Sequence, residues 1–219
     1  IQVTGHRRPI ISEMDIYALS ICRLGSGNNF VGYYMYHGGS NPVGIYGCLQ
    51  ESVKSGYPND VPGISYDFQA PISEYGYFRP WYYRLRILHQ FINCFQSLLA
   101  PMRPYFQLNE VKASDSESLR YAMRKSDDGG FVFFNTYERL QDLPAFDQVR
   151  FDTGRKVFPP LGMHIPAGQA GILPFGLTLY DDQDGRIILD YATAQLWKKE
   201  MKKDNTDQVT ACWYFVSIP

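Results

Sequence analysis

The sequence is short of cysteine pairs, of histidine, of surplus charge and of long apolar runs, and each shortage removes a class of protein. Its four cysteines, Cys22, Cys48, Cys94 and Cys212, stand far apart with no CxxC pair. That spacing suits neither a zinc site nor a disulfide scaffold, and the four read as free thiols. The 21 basic and 22 acidic residues leave a formal net charge of −1, so nothing electrostatic favours nucleic acid or an anionic membrane as partner. No stretch approaches the roughly 18 to 20 uninterrupted apolar residues of a membrane-spanning helix. Ile1 begins in mid-pattern without a signal peptide, which leaves a periplasmic or extracellular location open. No motif for a metal or nucleotide is present, and no cofactor is expected.

Aromatic residues are plentiful, at 16% of the chain with 17 Tyr, as expected where strands pack or rings stack on sugars. Between Ser12 and Leu24 the apolar residues Met14, Ile16, Tyr17, Leu19, Ile21 and Leu24 recur at helical spacing, with Ser12 to cap and Gly25 to stop. Phe30 to Tyr36 is a short aromatic and β-branched run before Gly38-Gly39, which predicts a buried parallel strand followed by a loop. Residues 43–63 carry Gly, Pro, Ser and Asn and read as an extended loop. A second helix is predicted over 80–99 by one apolar stripe, ended by Pro101 and Pro104.

Past that point the pattern changes to alternating runs at 118–124, 130–135, 149–151, 171–179, 186–194 and 209–217, separated by Asp/Gly turns. This predicts an antiparallel β-sandwich-like domain or small barrel, with a boundary near Phe106. Lys198 to Lys203 reads as a solvated turn or helix face.

Tyr34-Met35-Tyr36-His37-Gly38-Gly39-Ser40-Asn41 resembles the Tyr-Met-Phe-His-Gly-Gly-Thr-Asn signature after the last barrel strand of family 35 glycoside hydrolases, the β-galactosidases. Ser65-Tyr66-Asp67-Phe68-Gln69-Ala70-Pro71-Ile72-Ser73-Glu74 is similar to a second segment of that family, and it follows in the right order. In the β-rich half, residues 130–137, 165–168 and 191–196 resemble the domain that follows the barrel in bacterial members. The resemblance implies an α/β plus all-β chain. Residues 1–105 would be the end of a (β/α)8 TIM barrel (seventh helix, eighth strand, eighth helix), and 106–219 the antiparallel β-domain. It implies a retaining mechanism whose two catalytic Glu lie upstream of Ile1, so the chain alone is expected to be inactive. Retention needs two carboxyl groups about 5 Å apart, and no local pair substitutes for them.

The substrate-binding candidates are Tyr34, His37, Asn41, Tyr66 and Phe68. By resemblance Tyr34 stands on the eighth strand beside bound galactose, or is a core aromatic. His37 is a donor to a sugar hydroxyl or a loop-packing residue. Asn41 braces the loop or touches ligand. Phe68 departs from the family, which usually has a tyrosine there. The absent hydroxyl weakens recognition by roughly 0.5–1.5 kcal/mol unless water replaces it, and this puts strict galactose specificity in question. Tyr66 offers a hydroxyl, although alternation on a strand turns it to the opposite face. Asp67 and Glu74 are the nearest carboxylates, but the family uses neither as a catalytic pair, and Glu74 reads as a loop support. Two functions follow: the C-terminal part of an exo-glycosidase acting on terminal β-galactosyl or related residues, or a non-catalytic carbohydrate-binding or domain-packing module. The implied partners are a carbohydrate, the missing N-terminal barrel, and, for the exposed barrel remnant, a second copy of the chain.

Overall fold

A computed structural model describes residues 12–45, 47–48, 65–107, 109, 111–112, 114–127, 129–183, 185–203, 205 and 209–217. The chain forms two compact units, one drawn from Ile1–Glu13 and Gly32–Arg86, the other from Met14–Val31 and Ile87–Pro219.

Both predicted helices are present. Helix α1 spans Glu13–Gly25 and helix α2 spans Pro80–Leu99. Their buried residues recur every three to four positions: Met14, Tyr17, Ile21 and Leu24 on α1, and Leu85, Leu88, Phe91, Phe95 and Leu99 on α2. Glycine closes α1, since the Gly27 N–H donates to the Leu24 carbonyl (3.0 Å) from a left-handed backbone, φ 98°.

The larger unit is built on a five-stranded antiparallel sheet. Its strands are β5 (Arg103–Phe106), β6 (Arg120–Ser126), β7 (Gly129–Asn135), β10 (Ala170–Asp182) and β11 (Gly185–Tyr191), in the order β11-β10-β7-β6-β5. The hairpin of β8 (Phe146–Asp152) and β9 (Val157–Ile165) covers one face. Val132, Phe134, Met123, Leu173 and Phe175 of the sheet meet Phe151, Phe158 and Ile165 of the hairpin in a single apolar cluster. The alternate residues of β7 are buried on the opposite face. The Phe91 ring on α2 meets Phe131 edge-on at 5.2 Å, and α1 comes so close that a Cβ on Gly25 would stand 2.7 Å from the Phe133 Cβ. The continuous apolar run of β7 is therefore explained by burial on both faces, where each large side chain removed from water contributes roughly 1.5–3 kcal/mol. The last pair, β12 (Gln195–Lys203) with β13 (Val209–Val216), is a separate antiparallel hairpin.

Among the described residues, Arg124 is the one charged side chain of the large, fully buried ones. Its partner in the ladder is Phe131, which puts it on the helix-covered face. From there the guanidinium donates to the carbonyls of Leu24 (3.5 Å), Leu99 (2.8 Å), Ala100 (3.3 Å) and Met102 (3.1 Å), and to Asn29 Oδ1 (2.7 Å). These acceptors include the carbonyl ends of both helices, where a cation opposes the negative pole of the dipole.

Three sequence expectations need correction. Phe30 to Tyr36 forms no strand, and Phe30 and Tyr34 are each 84% exposed. A parallel strand is stable only between parallel neighbours that bury both its faces, and among the described residues every ladder is antiparallel. Lys198 to Lys203 is strand and not a turn or helix: β12 lays its ammonium groups over β13, with Lys199 4.7 Å from Trp213 and Lys198 4.6 Å from Tyr214. The strands β5 and β9 lie outside the predicted runs; Pro104, within β5, read only as the end of the preceding helix. β5 is a sheet edge and β9 belongs to a hairpin with register shifts, and both places tolerate proline. Of the long loop expected at 43–63, β2 (Val43–Gly44) and β3 (Gly47–Cys48) form a short pair. Residues 49–64 lie outside the described residues. The compact units do not divide at residue 106: α1 beyond Glu13 and α2 beyond Arg86 belong with the sheet.

Exchange of backbone amides against deuterium should therefore be faster in 30–36 than in 186–194, where β11 is laddered to β10. Equal protection of the two segments would mean that 30–36 has a strand partner after all.

Candidate functional site

The two signature segments meet in the smaller unit through a minimal sheet. β1 (Gly39–Ser40) pairs antiparallel with β4 (Ser65–Tyr66), with Gly39 opposite Tyr66 and Ser40 opposite Ser65. A parallel bridge joins His37 to Ile72 and a further bridge joins Ile72 to Phe78, so three separate pieces of chain are in register. The Gly38 N–H donates to the Ile72 carbonyl (2.8 Å), and the Ile72 N–H donates to that of Tyr36 (3.0 Å).

Asp67 is the hub of this arrangement. Its carboxylate accepts the Glu74 N–H at 2.8 Å and forms a half-buried ion pair with Arg79. The same guanidinium donates to the Ala70 carbonyl (2.6 Å) and lies 5.7 Å from the centre of the Trp81 ring. Trp81 Nε1 in turn donates to the Gln69 carbonyl at 3.1 Å. With Arg79 and a backbone N–H on its oxygens, the Asp67 carboxylate ties the start of α2 to the segment around Glu74. Glu74 accepts a hydrogen bond from Ser40 Oγ (3.1 Å), which ties the second segment back to the first. Neighbouring Tyr75 is hydrogen-bonded to Glu74, and that contact pushes its phenol pKa up. Sequence reading anticipated Glu74 as a loop support but missed the part that Asp67, Arg79 and Trp81 take. The pairs are 12 residues apart (67 with 79, 69 with 81), a separation with no local periodicity to reveal them.

The turn after β4 is strained. Phe68 and Gln69 both have left-handed backbones, with φ of 45° and 54°. For non-glycine residues each costs about 1–2 kcal/mol, and it persists only where surrounding bonds over-determine it. Here the Ala70 N–H to Asp67 carbonyl bond (2.9 Å) and the Trp81 bond supply that restraint.

Of the five predicted sugar contacts, four lie along this scaffold. His37 bridges to Ile72 and its Nδ1 contacts the Gly38 carbonyl. Asn41 follows directly on β1, Tyr66 stands on β4 opposite Gly39, and Phe68 occupies the strained turn. Tyr34 stands outside any strand and is exposed to solvent. Beside these residues lies an aromatic group that the sequence did not single out. Phe78 stacks on Tyr82 at 4.3 Å and Tyr36 lies 6.3 Å from Tyr82, where burial raises the Tyr36 phenol pKa. Among the described residues no three His, Cys, Asp or Glu side chains are grouped to hold a metal ion. No helix among them is long and apolar enough to cross a membrane.

The order of these motifs, their register against each other and the Asp67 hub all fall within one stretch of sequence. Residues 7–92 match the family model of glycosyl hydrolases family 35, a match that takes in both signature segments and ends within α2. Over residues 7 to 92 the chain is similar to glycosyl hydrolases family 35.

Proposed function

We propose that this chain is the C-terminal part of a retaining exo-glycosidase that removes terminal β-galactosyl or related residues. In this reading residues 1–105 complete a (β/α)8 barrel and 106–219 form its accessory β-domain. The observation that supports the proposal is the β1–β4 pairing, which joins the segment carrying His37 and Asn41 to the segment carrying Tyr66 and Phe68; in this reading the four line one ridge. Tyr34 joins that ridge once the neighbouring barrel strands lend its segment their hydrogen bonds. The ridge positions a sugar, and the acid/base and nucleophile come from barrel strands that this chain does not contain. Phe68 offers a ring without a hydroxyl, so galactose is held there by contact with an apolar face and not by a phenolic hydrogen bond.

The chain by itself should not hydrolyse an aryl β-galactoside above background, whereas its full-length parent should. Positioning cannot replace protonation of the leaving oxygen or capture of the anomeric carbon. The assay compares chain and parent on one substrate, with Glu74→Gln in both. Turnover by the chain that disappears in Glu74→Gln would show that Glu74 is catalytic. Loss of turnover from the parent alone on mutating its barrel glutamates supports the proposal. A parent that binds galactosides without cleaving them would favour a carbohydrate-binding module instead.

A further inference from the structure

On the hairpin-covered side of the five-stranded sheet, well away in sequence from the signature segments, lies a cleft of about 750 Å³. Its wall carries five cations, Arg103, Lys125, Arg155, Lys156 and Arg186, against two carboxylates, Asp127 and Asp190. In a chain of net charge −1 this is a local concentration of positive charge. Three of the cations are answered: Arg155 by Asp127 at 3.1 Å, Lys156 by Asp190, and Arg186 by Asp181 at 3.5 Å. The remaining two are Arg103 and Lys125, and they are directly opposite each other in the β5–β6 ladder.

Like charges facing across an antiparallel pair destabilise the sheet, and a sequence under no other demand would place an acid at one of the two positions. No carboxylate pairs with either among the described residues. Lys125 is held in place: its ammonium donates to the Thr153 carbonyl and lies 4.5 Å over the Tyr105 ring. Tyr105, 44% exposed, and Ile188, 52% exposed, add apolar surface to the same cleft. Two cations paired across the ladder in one cleft beside apolar surface fit a ligand that has both an anionic group and an apolar face.

We infer that this cleft is a second carbohydrate site, one for an acidic sugar whose carboxylate or sulfate sits between Arg103 and Lys125. The sugar in this assignment rests on the glycosidase reading above, and the oxyanion rests on the cleft alone. Binding is read without turnover, so its failure is distinct from failure of that reading.

The test is titration of the 219-residue chain at low salt with galactose 6-sulfate, galacturonate, galactose and inorganic sulfate, followed by calorimetry or amide shifts. One or both acidic sugars should bind at least roughly tenfold more tightly than galactose or inorganic sulfate, and the preference between them identifies the oxyanion. Added salt should weaken that binding. Arg103→Gln, an exposed edge-strand position that leaves the core untouched, should weaken it roughly tenfold, and Lys125→Gln should do the same. Lys112→Gln, which removes the same charge outside the cleft, should leave it unchanged. Galactose binding as tightly as the acidic sugars would overturn the oxyanion, and inorganic sulfate binding as tightly would overturn the sugar. Unchanged affinity in Arg103→Gln, or no binding of either acidic sugar, would overturn the site.

Discussion

Replacing Arg124 by methionine is expected to cost roughly 3 kcal/mol or more of unfolding free energy, lowering the melting temperature by roughly 6–12 °C. The substitution nearly preserves volume, so the loss would come from the acceptors left behind. The carbonyls of Leu24, Leu99, Ala100 and Met102 all take hydrogen bonds from this one guanidinium. The first three keep bonds from the Gly27 N–H, the Met102 N–H and Asn29 Nδ2, but each loses a charged donor worth about 1.5–3 kcal/mol, and the buried Met102 carbonyl loses its guanidinium bonds. Burial also lowers the pKa of the guanidinium, yet arginine remains the cation least able to give up its proton in such a place. Arg124→Lys should recover less than half of the loss, because three donors on a point charge cannot span acceptors at the ends of two helices. Urea unfolding of the three proteins measures this directly. A methionine variant within about 1 kcal/mol of the parent protein would mean that the helix ends find other donors.

The second large effect is expected at Gly38, with Gly39 as its control. A Cβ on Gly38 would stand 2.4 Å from Asp67 Oδ1 and 2.7 Å from the Glu74 nitrogen, distances that real Cβ atoms do not adopt. Asp67 cannot swing aside cheaply, since its oxygens are committed to Arg79 and to the Glu74 N–H. Gly38→Ala should therefore separate the two signature segments, and under the proposed function it should cut turnover of the full-length parent roughly 100-fold through misplacement of the proposed sugar contacts. A Cβ on Gly39 meets nothing within 4 Å, so Gly39→Ala should keep turnover within about threefold. Equal losses at both positions would indicate that the glycines act through loop flexibility and not through the close approach to Asp67.

The sequence by itself determined the two helices, because an apolar stripe at 3.6-residue spacing with a glycine or proline stop is a local signal. It also determined the antiparallel character of the C-terminal half, through alternating runs and Asp/Gly turns, and the family that its first part resembles, through two ordered motifs. Tertiary structure decided what depends on partners distant in the chain. Phe30 to Tyr36 has the composition of a buried strand, but a strand forms only where neighbours supply hydrogen bonds. Without parallel neighbours the segment forms no strand, and Phe30 and Tyr34 lie exposed. The lysine run 198–203 looked solvated until Trp213 and Tyr214 provided rings for its ammonium groups. Gly38 and Gly39 are equivalent as letters, and only the carboxylate of Asp67 pressed against the first makes them different. Arg124 reads as a surface charge on a strand, and the cross-strand match of Arg103 with Lys125 depends on ladder register, which no local pattern records. In each case the deciding energy is a contact between residues far apart in sequence, so it appears only once the chain has folded.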